Sequence, residues 1–189
     1  MQNIQIIGVT GRKFTGKDTA GNYFVSNYGF ERLAYADPLK NAVREIFNFT
    51  NEQLYGNEKE VLDTHWNVTP RKVLQFVGTD LFRNHIGEIV PGVGQDIWIR
   101  VMKRKIMDKL KDNPNAKIVV TDIRFDNESD AIKELGGVTI KSEREGVSNE
   151  DTHESEANID AIKTDYVFSN NGTREDLFSQ LKQTFHGRV

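Results

Sequence analysis

Hydrophobic and polar positions along the 189-residue chain follow two periods in alternation, one typical of buried strands and the other of amphipathic helices. Short, largely apolar runs predict five strands, at residues 4–9, 32–36, 117–122, 138–140 and 166–168. Segments with helical spacing predict six helices, at residues 18–28, 38–47, 69–84, 97–111, 127–135 and 174–185. Pro38 and Pro70 fall in the first turns of two of these helices, where proline is tolerated.

The alternation of strands and helices predicts βαβ units and an α/β fold, a mostly parallel five-stranded sheet with helices on both faces. Residues 50–65 and 142–164 are polar and charged, and residues 86–95 hold three glycines and one proline, so no firm element is predicted for these stretches. Ligands of such folds bind at the carboxyl ends of the strands. We therefore expect functional residues just after Val9, Ala36, Thr121, Ile140 and Phe168.

Composition excludes several classes of function. The 25 basic and 28 acidic residues nearly cancel, which argues against a protein that coats nucleic acid. The chain has no cysteine, and this excludes disulfides, thiolate zinc sites and a cysteine nucleophile. No apolar run approaches the roughly 20 residues of a membrane span. The first residues lack the basic region of a signal peptide, so we expect a soluble, cytoplasmic protein.

A phosphate-binding loop is predicted at residues 11–19, where Gly11, Gly16 and Lys17 fit the pattern G-x-x-x-x-G-K. Glycines let successive backbone N–H groups turn around an anion. The helix that begins near Lys17 adds its positive end, and the lysine ammonium reaches the β- and γ-phosphates. Such a pattern also arises by chance, but its place between an apolar strand and a helix favours the functional interpretation.

The residue after the loop lysine departs from the usual pattern. A Ser or Thr hydroxyl normally holds Mg²⁺ there, whereas this chain has Asp18, followed by Thr19. A carboxylate is a good hard ligand for Mg²⁺, so Asp18 is a candidate metal ligand. The alternative, in which Asp18 caps the helix while Thr19 takes the metal, stays open.

A second candidate centre follows the strand predicted at residues 117–122. Asp122 ends this strand, at the position where phosphate-loop enzymes keep a carboxylate for Mg²⁺ or its water shell. Arg124 lies two residues further on and can form a fork with a phosphate. The alternative is a strand-end aspartate that caps the next helix and pairs with Arg124 at the surface.

The helix predicted at residues 69–84 places Arg71, Gln75 and Thr79 on one face, because they are four residues apart. This face presents a guanidinium, a carboxamide and a hydroxyl to a small polar ligand, although an ordinary polar helix face has the same pattern. Lys40 and Trp98 are equally open between binding and structural roles.

Cations in the acidic segment after the fourth strand, Arg144 and His153, suit a lid that neutralises charge on a transferring phosphoryl group. A solvated loop is the alternative. The four histidines are scattered, so His153 is not a zinc ligand on this pattern.

Together, these motifs resemble the deoxynucleoside monophosphate kinases of tailed bacteriophages. The resemblance spans nearly the whole chain. It is specific because the G-K-D-T loop, a G-T-D-L helix and a T-H-x-x-E segment coincide. The motifs are Gly11…Gly16-Lys17-Asp18-Thr19, Ala36-Asp37-Pro38-Leu39-Lys40, Arg71…Gln75…Gly78-Thr79-Asp80-Leu81, Trp98, Asp122-x-Arg124…Glu128, Thr152-His153-x-x-Glu156 and Asn170-x-Gly172.

The resemblance implies a three-layer P-loop kinase fold in a single domain over residues 1–189. Its core would comprise residues 1–37, 112–142 and 164–189, a helical acceptor-binding region residues 38–111, and a short lid residues 143–163. It implies transfer of the γ-phosphate of ATP, with Mg²⁺, to a small-molecule deoxynucleoside monophosphate (dNMP). The resemblance further implies a homodimer without nucleic-acid or membrane partners. If the protein is phage-encoded, we expect it in the host cytoplasm.

The resemblance also assigns roles to residues. The catalytic set is Lys13, Lys17, Arg71, Arg124 and Arg144. The donor-binding set is Gly11, Thr15, Gly16, Lys17, Asp18, Thr19 and Asn170, with Asp18 and Asp122 toward the metal. The acceptor-binding set is Lys13, Lys40, Arg71, Gln75, Thr79, Trp98, Asp122, Arg124, Glu128 and His153.

The choice among acceptor bases is left open, because it depends on pocket shape and because residues 49–69 are short compared with the better-known phage enzymes. Two other functions are also open: a P-loop kinase for another phosphorylated metabolite, of the phosphomevalonate or dephospho-coenzyme A type, and a non-catalytic nucleotide-binding module. A nucleic-acid end kinase would need a basic track, which the near-neutral charge disfavours.

Overall fold

The computed structural model describes residues 3–147, 153, 157 and 159–189. Its strands form one five-stranded sheet in the order β2-β3-β1-β4-β5, in which every hydrogen-bonded pair is parallel. The strands are β1 Ile6–Thr10, β2 Glu31–Leu33, β3 Ile118–Ile123, β4 Val138–Glu143 and β5 Tyr166–Ser169. The predicted parallel five-stranded sheet is confirmed.

The α-helices alternate with these strands or follow one another between β2 and β3. They are α1 Lys17–Tyr28, α2 Ala36–Phe47, α3 Asn51–Tyr55, α4 Pro70–Gln75, α5 Ile97–Asp112, α6 Asp126–Glu134 and α7 Arg174–Phe185. A π-helix spans Phe76–His85, and 3-10 turns span Asn57–Glu60, Ile86–Glu88 and Ile159–Ala161. Among the described residues, no helix combines the length and the apolar character needed to cross a membrane.

Strand β1 lies at the centre of the sheet and is buried along its whole length. On one face, Ile7 and Val9 belong to a core that includes Phe24 of α1 and Phe185 of α7. On the other face, Gly8 admits the side chain of Ile132 from α6, since a Cβ at Gly8 would lie 3.2 Å from Ile132 Cγ1. Helices therefore cover both faces of the sheet, as the sequence pattern predicts.

The chain divides into two units, residues 1–34 with 101–189 and residues 35–100. The first unit contains the sheet with α1, α6 and α7. The second unit contains α2 to α4 and the π-helix around its own apolar core. The buried residues of that core are Val43, Phe49, Leu54, Val73 and Val77.

The second predicted strand ends earlier than expected. Residues 32–36 were expected to be extended, but β2 ends at Leu33 and α2 begins at Ala36. Tyr35 already has right-handed helical dihedral angles, with φ −59° and ψ −35°. Pro38 is then the third residue of the helix, where its fixed φ suits the first turn and its missing N–H is not needed.

Residues 50–65, for which the sequence predicted no firm element, contain α3 and a 3-10 turn. A capping box begins α3: Gln53 N donates to Thr50 Oγ1 at 3.2 Å, and Thr50 N donates to Gln53 Oε1 at 2.8 Å. The T-x-x-Q spacing was therefore a helix signal that could have been used.

The helix predicted at residues 69–84 consists of two parts. Thr69 caps α4 by accepting from Lys72 N, and from Phe76 onward the chain continues as a π-helix. Within this wider helix, the Gly78 carbonyl accepts a hydrogen bond from Trp98 Nε1 at 2.8 Å. Because this hydrogen bond comes from outside the helix, the Gly78 carbonyl keeps a partner where the helical period changes.

Candidate active site

The phosphate loop joins β1 to α1, and its two glycines are required by backbone angle and by space. Gly11 has φ +148°, and a Cβ there would lie 2.6 Å from the backbone oxygen of Ser142. Gly16 has φ +93°, and its Cβ would lie 2.3 Å from Asn170 Nδ2. Any larger residue at either position would have to displace the ends of β4 or β5.

The second half of the loop is held at Thr15. Its carbonyl accepts hydrogen bonds from Ser142 Oγ at 2.7 Å and from Asn170 Nδ2 at 2.9 Å. Asn170 was expected beside the donor; here its amide also fixes the loop. The sequence argument missed Ser142, although it lies at the carboxyl end of a predicted strand, where functional residues were expected.

The loop ends at the amino terminus of α1, where Gly16 is the N-cap and supplies no side chain to cap the first turn. The positive end of the helix dipole is therefore directed at the loop. Lys17 begins the helix with its side chain only 15% exposed, and its Nζ lies 3.7 Å from Asp18 Oδ2. The Asp18 side chain is 70% exposed, which leaves its oxygens accessible to a ligand.

The tip of the loop carries an exposed aromatic ring. Phe14 has φ +69°, a left-handed backbone conformation that costs a residue with a side chain about 1–2 kcal/mol, and it is 74% exposed. The Nζ of Lys13 lies 5.0 Å from the centroid of the Phe14 ring. Strain of this kind is concentrated at functional sites. It favours a binding role for the loop tip.

Strand β3, beside β1, brings a second group of candidates to the same edge of the sheet. Thr10 Oγ1 donates to Ile123 O at 2.8 Å, so the ends of the two strands are joined next to the half-buried Asp122. Glu128 is 3% exposed, and its Oε2 accepts from the backbone N–H of Arg124 at 2.9 Å. Glu128 was expected to bind the acceptor; its observed contact orients the turn that carries Arg124.

A cavity of about 490 Å³ lies between the ends of β4 and β5, next to the phosphate loop. Its lining includes Arg12, Thr15, Ser142, Arg144, Asp160 and Asn171. Asn171 Oδ1 accepts from Glu145 N at 2.8 Å, which ties the two strand ends together beyond the sheet. Arg144, expected in the lid, thus borders the same cavity as the loop.

Of the T-H-x-x-E segment, His153 is half-buried, whereas Thr152 and Glu156 lie outside the described residues. Across the described ranges, no three His, Cys, Asp or Glu side chains are grouped to hold a metal ion.

Two of the predicted acceptor residues of the second unit contact neighbours that the sequence argument did not select. Arg71 Nε lies 3.4 Å from Glu60 Oε1, and the Arg71 side chain is 20% exposed. Lys40 Nζ lies 3.9 Å from the centroid of the Tyr55 ring. Both partners come from residues 50–65, where only the capping box gave a sequence signal.

The polar helix face has its three members in different environments. Arg71 is half-buried on α4, Gln75 is half-buried at its end, and Thr79 is 6% exposed within the π-helix. Trp98, expected near the acceptor nucleoside, donates to Gly78 O and packs against Phe82 with ring centroids 5.6 Å apart. The indole thereby supports the helix that carries Thr79.

Comparison with solved structures supports the fold. The chain superimposes on a dephospho-CoA kinase from Campylobacter jejuni with a TM-score of 0.51 and 16% identity, over 98% of this chain and 99% of that one. At this identity, the likeness concerns the fold, which is that of P-loop kinases.

Comparison with known sequences supports the family. The chain is 44% identical over 180 residues to a protein of Acanthamoeba polyphaga mimivirus proposed to be a deoxynucleotide monophosphate kinase, over 93% of each chain. It is 32% identical to the deoxynucleotide monophosphate kinase of Enterobacteria phage T4, over 75% of this chain and 54% of that enzyme. The family model for deoxynucleotide monophosphate kinase matches residues 5–69 and 49–181. The resemblance found in the sequence is confirmed, and the chain belongs to the deoxynucleotide monophosphate kinase family.

Proposed function

We propose that this kinase takes ATP as its phosphate donor and transfers the γ-phosphate to the phosphate of a deoxynucleoside monophosphate. The observation that carries the proposal is the loop from Gly11 to Lys17, whose glycines have the backbone angles and the crowded surroundings described above. Membership of the family supplies the class of acceptor. Products of the reaction are ADP and a deoxynucleoside diphosphate.

In this proposal, the donor occupies the loop and the cavity beside it. The backbone N–H groups and the first turn of α1 bind the β- and γ-phosphates, with Lys17 at their side. The cavity at the ends of β4 and β5 takes the nucleoside part, with Arg144 and Asn171 in its lining and Asn170 directly before Asn171 in the chain. Fixation of Thr15 by Ser142 and Asn170 keeps the loop open before the donor arrives, which lowers the cost of binding.

The acceptor occupies the second unit between α2 and α4. Arg71 and Lys40 supply positive charge for its phosphate, and Gln75 and Thr79 supply hydrogen-bonding groups for the nucleoside. Trp98 positions the π-helix behind Thr79. The contact between Arg71 and Glu60 keeps the guanidinium in place without a substrate, and a phosphate dianion is a stronger partner for it than a carboxylate.

Chemistry in this site needs positioning and charge neutralisation. A phosphate oxygen of the acceptor is already a nucleophile at neutral pH, so no general base is required for in-line attack on the γ-phosphorus. Positive charge from five side chains stabilises the transferring group. These are Lys13, Lys17, Arg71, Arg124 and Arg144. Arg144 acts from the proposed lid at residues 143–163, where exclusion of water prevents hydrolysis of ATP.

Two carboxylates of the site suit a magnesium ion. Asp18 and Asp122 offer hard carboxylate oxygens, one largely exposed and the other half-buried. Mg²⁺ in such enzymes takes one or two carboxylates and completes its shell with phosphates and water, so no ready-made cluster of protein ligands is needed. When bound, the ion supplies charge neutralisation on the β- and γ-phosphates.

The test is to incubate the purified protein with ATP, MgCl₂ and each common dNMP in turn, and to quantify ADP and dNDP. Equal amounts of ADP and dNDP with one or a few bases are expected, and they would identify the preferred acceptor. Binding of ATP without phosphorylation of any dNMP would contradict the proposal. It would favour the other two functions, a kinase for a different phosphorylated metabolite or a nucleotide-binding module.

A further inference from the structure

The first half of the phosphate loop is joined to the segment that leads into β5. Arg12 Nε donates to Asp160 Oδ1 at 2.9 Å, and Arg12 Nη2 donates to Asp160 Oδ2, so the guanidinium and the carboxylate form a two-pronged pair. The side chains are 27% and 57% exposed. A fork of this kind fixes direction as well as distance, which a single contact does not.

The backbone around Asp160 is fixed by buried neighbours. It lies in the 3-10 turn Ile159–Ala161, which is inserted into the unit by Ile159, 1% exposed, and Ile162, 3% exposed. The backbone oxygen of Asp160 accepts from Nζ of Lys141 at 2.7 Å, and the Lys141 residue is 7% exposed. The position of the Asp160 carboxylate is therefore fixed by the burial of Ile159 and Ile162 and by the hydrogen bond from Lys141 to the Asp160 backbone.

The pair also acts on the loop backbone. The Arg12 carbonyl accepts from Thr15 Oγ1 at 2.9 Å and from Thr15 N at 3.3 Å. A guanidinium fixed by Asp160 thus restrains residues 12–15 from one side, while Ser142 and Asn170 restrain Thr15 from the other.

We propose that Asp160 is a positioning residue for the phosphate loop, which it holds through Arg12 in the conformation that binds the donor's phosphates. The proposal rests on ATP being the donor, as proposed above. An exposed ion pair contributes little to global stability, so its effect belongs to the local conformation of the loop. Loss of the pair should therefore weaken binding of the donor and leave binding of the acceptor unchanged.

The test compares Asp160→Asn with wild type. We expect the Kd for ATP to rise about fivefold, a change typical of losing one charged hydrogen-bonded pair, with kcat and the KM for the acceptor unchanged. Glu134→Gln is the matched control: its pair with Lys103, 2.6 Å apart with side chains 34% and 66% exposed, lies in the same unit away from the loop. A Kd for ATP within 1.5-fold of wild type in Asp160→Asn would overturn the proposal.

A double-mutant cycle separates action of Asp160 through Arg12 from a direct contact of Asp160 with ATP in the cavity that both residues line. If Asp160 acts through Arg12, then Asp160→Asn introduced into Arg12→Gln raises the Kd by less than about twofold further. Full multiplication of the two effects would refute the coupling. Should Asp160→Asn fail to fold, Arg12→Lys keeps the charge, loses the fork and gives the same comparison.

Hydrogen exchange on the protein without nucleotide gives a reading that does not depend on kinase activity. Peptides that cover residues 10–20 should exchange faster in Asp160→Asn than in wild type or Glu134→Gln. Unchanged exchange would overturn the positioning role even if ATP affinity fell. Absence of dNMP phosphorylation by wild type would instead contradict only the proposed function.

Discussion

Substitution of Gly16 by alanine tests the most crowded point of the site. The new Cβ would lie 2.3 Å from Asn170 Nδ2, a distance at which the amide must move. Movement of the amide breaks its 2.9 Å hydrogen bond to Thr15 O, which costs about 0.5–1.5 kcal/mol. The φ of +93° adds about 1–2 kcal/mol for a residue with a side chain. We expect the free energy of unfolding to fall by about 1.5–3.5 kcal/mol.

Gly29 provides the matched control, because its φ is +71° but no heavy atom of the described residues lies within 4 Å of where its Cβ would be. Gly29→Ala should therefore cost only the backbone strain, about 1–2 kcal/mol. In an Asn170→Ala background, Gly16→Ala should also approach that smaller cost, since the obstructing amide is gone.

Urea denaturation followed by circular dichroism measures the four variants and wild type, and ATP titration measures donor binding in each. Gly16→Ala should lose both stability and affinity for ATP, whereas Gly29→Ala should keep its affinity. The reasoning would be refuted if Gly16→Ala were as stable as Gly29→Ala, or if removal of the Asn170 amide did not reduce its cost.

Three further changes test other parts of the structure. Lys17→Ala should lower kcat about 10³-fold or more, and a near wild-type rate of dNDP formation would remove the loop lysine from the mechanism. Hydrogen bonds from Trp66 N, and then from the Gln53 side chain, hold the pKa of Asp63 below its usual 3.8. The ionised form of Asp63 therefore stabilises the fold at neutral pH, and this contribution is lost as the pH falls through the lowered pKa. Asp63→Asn should therefore lower Tm at pH 7, and the difference in Tm between wild type and variant should narrow below pH 3.8. A difference in Tm that stays constant with pH would contradict this role of Asp63. Thr121 Oγ1 is buried without a hydrogen-bond partner in the described part of the chain, so Thr121→Val should raise the free energy of unfolding by about 1 kcal/mol in urea, and a loss would show that the hydroxyl is satisfied.

Features that depend on neighbouring residues could be predicted from the sequence. The loop from Gly11 to Lys17 is specified by glycine spacing and by the strand before it, and the apolar runs specify the central strands. The first turn of α2 shows the limit of such reasoning: the run from Arg32 to Ala36 is apolar enough for a strand, yet the helix already begins at Ala36, two residues before Pro38.

Features that depend on distant residues could not be predicted. Ser142 and Thr15 are 127 positions apart, and Arg12 and Asp160 are 148 apart, so nothing in local spacing joins them. The π-helix is similar, because its change of period accompanies a hydrogen bond from Trp98, 20 residues beyond Gly78. Contacts of this kind decide how the loop is held, which motif matching does not address.

The order of strands has a consequence for synthesis of the chain. Strand β1 is made first, yet Ile6 pairs with Ile118 and Ile7 pairs with Val138, so both neighbours of β1 emerge from the ribosome much later. Of the two side chains that hold the phosphate loop, Ser142 lies in β4 itself and Asn170 directly follows β5. A nascent chain that ends before β4 should therefore have no formed nucleotide site, and a bound nucleotide can favour folding only once nearly the whole chain has been made.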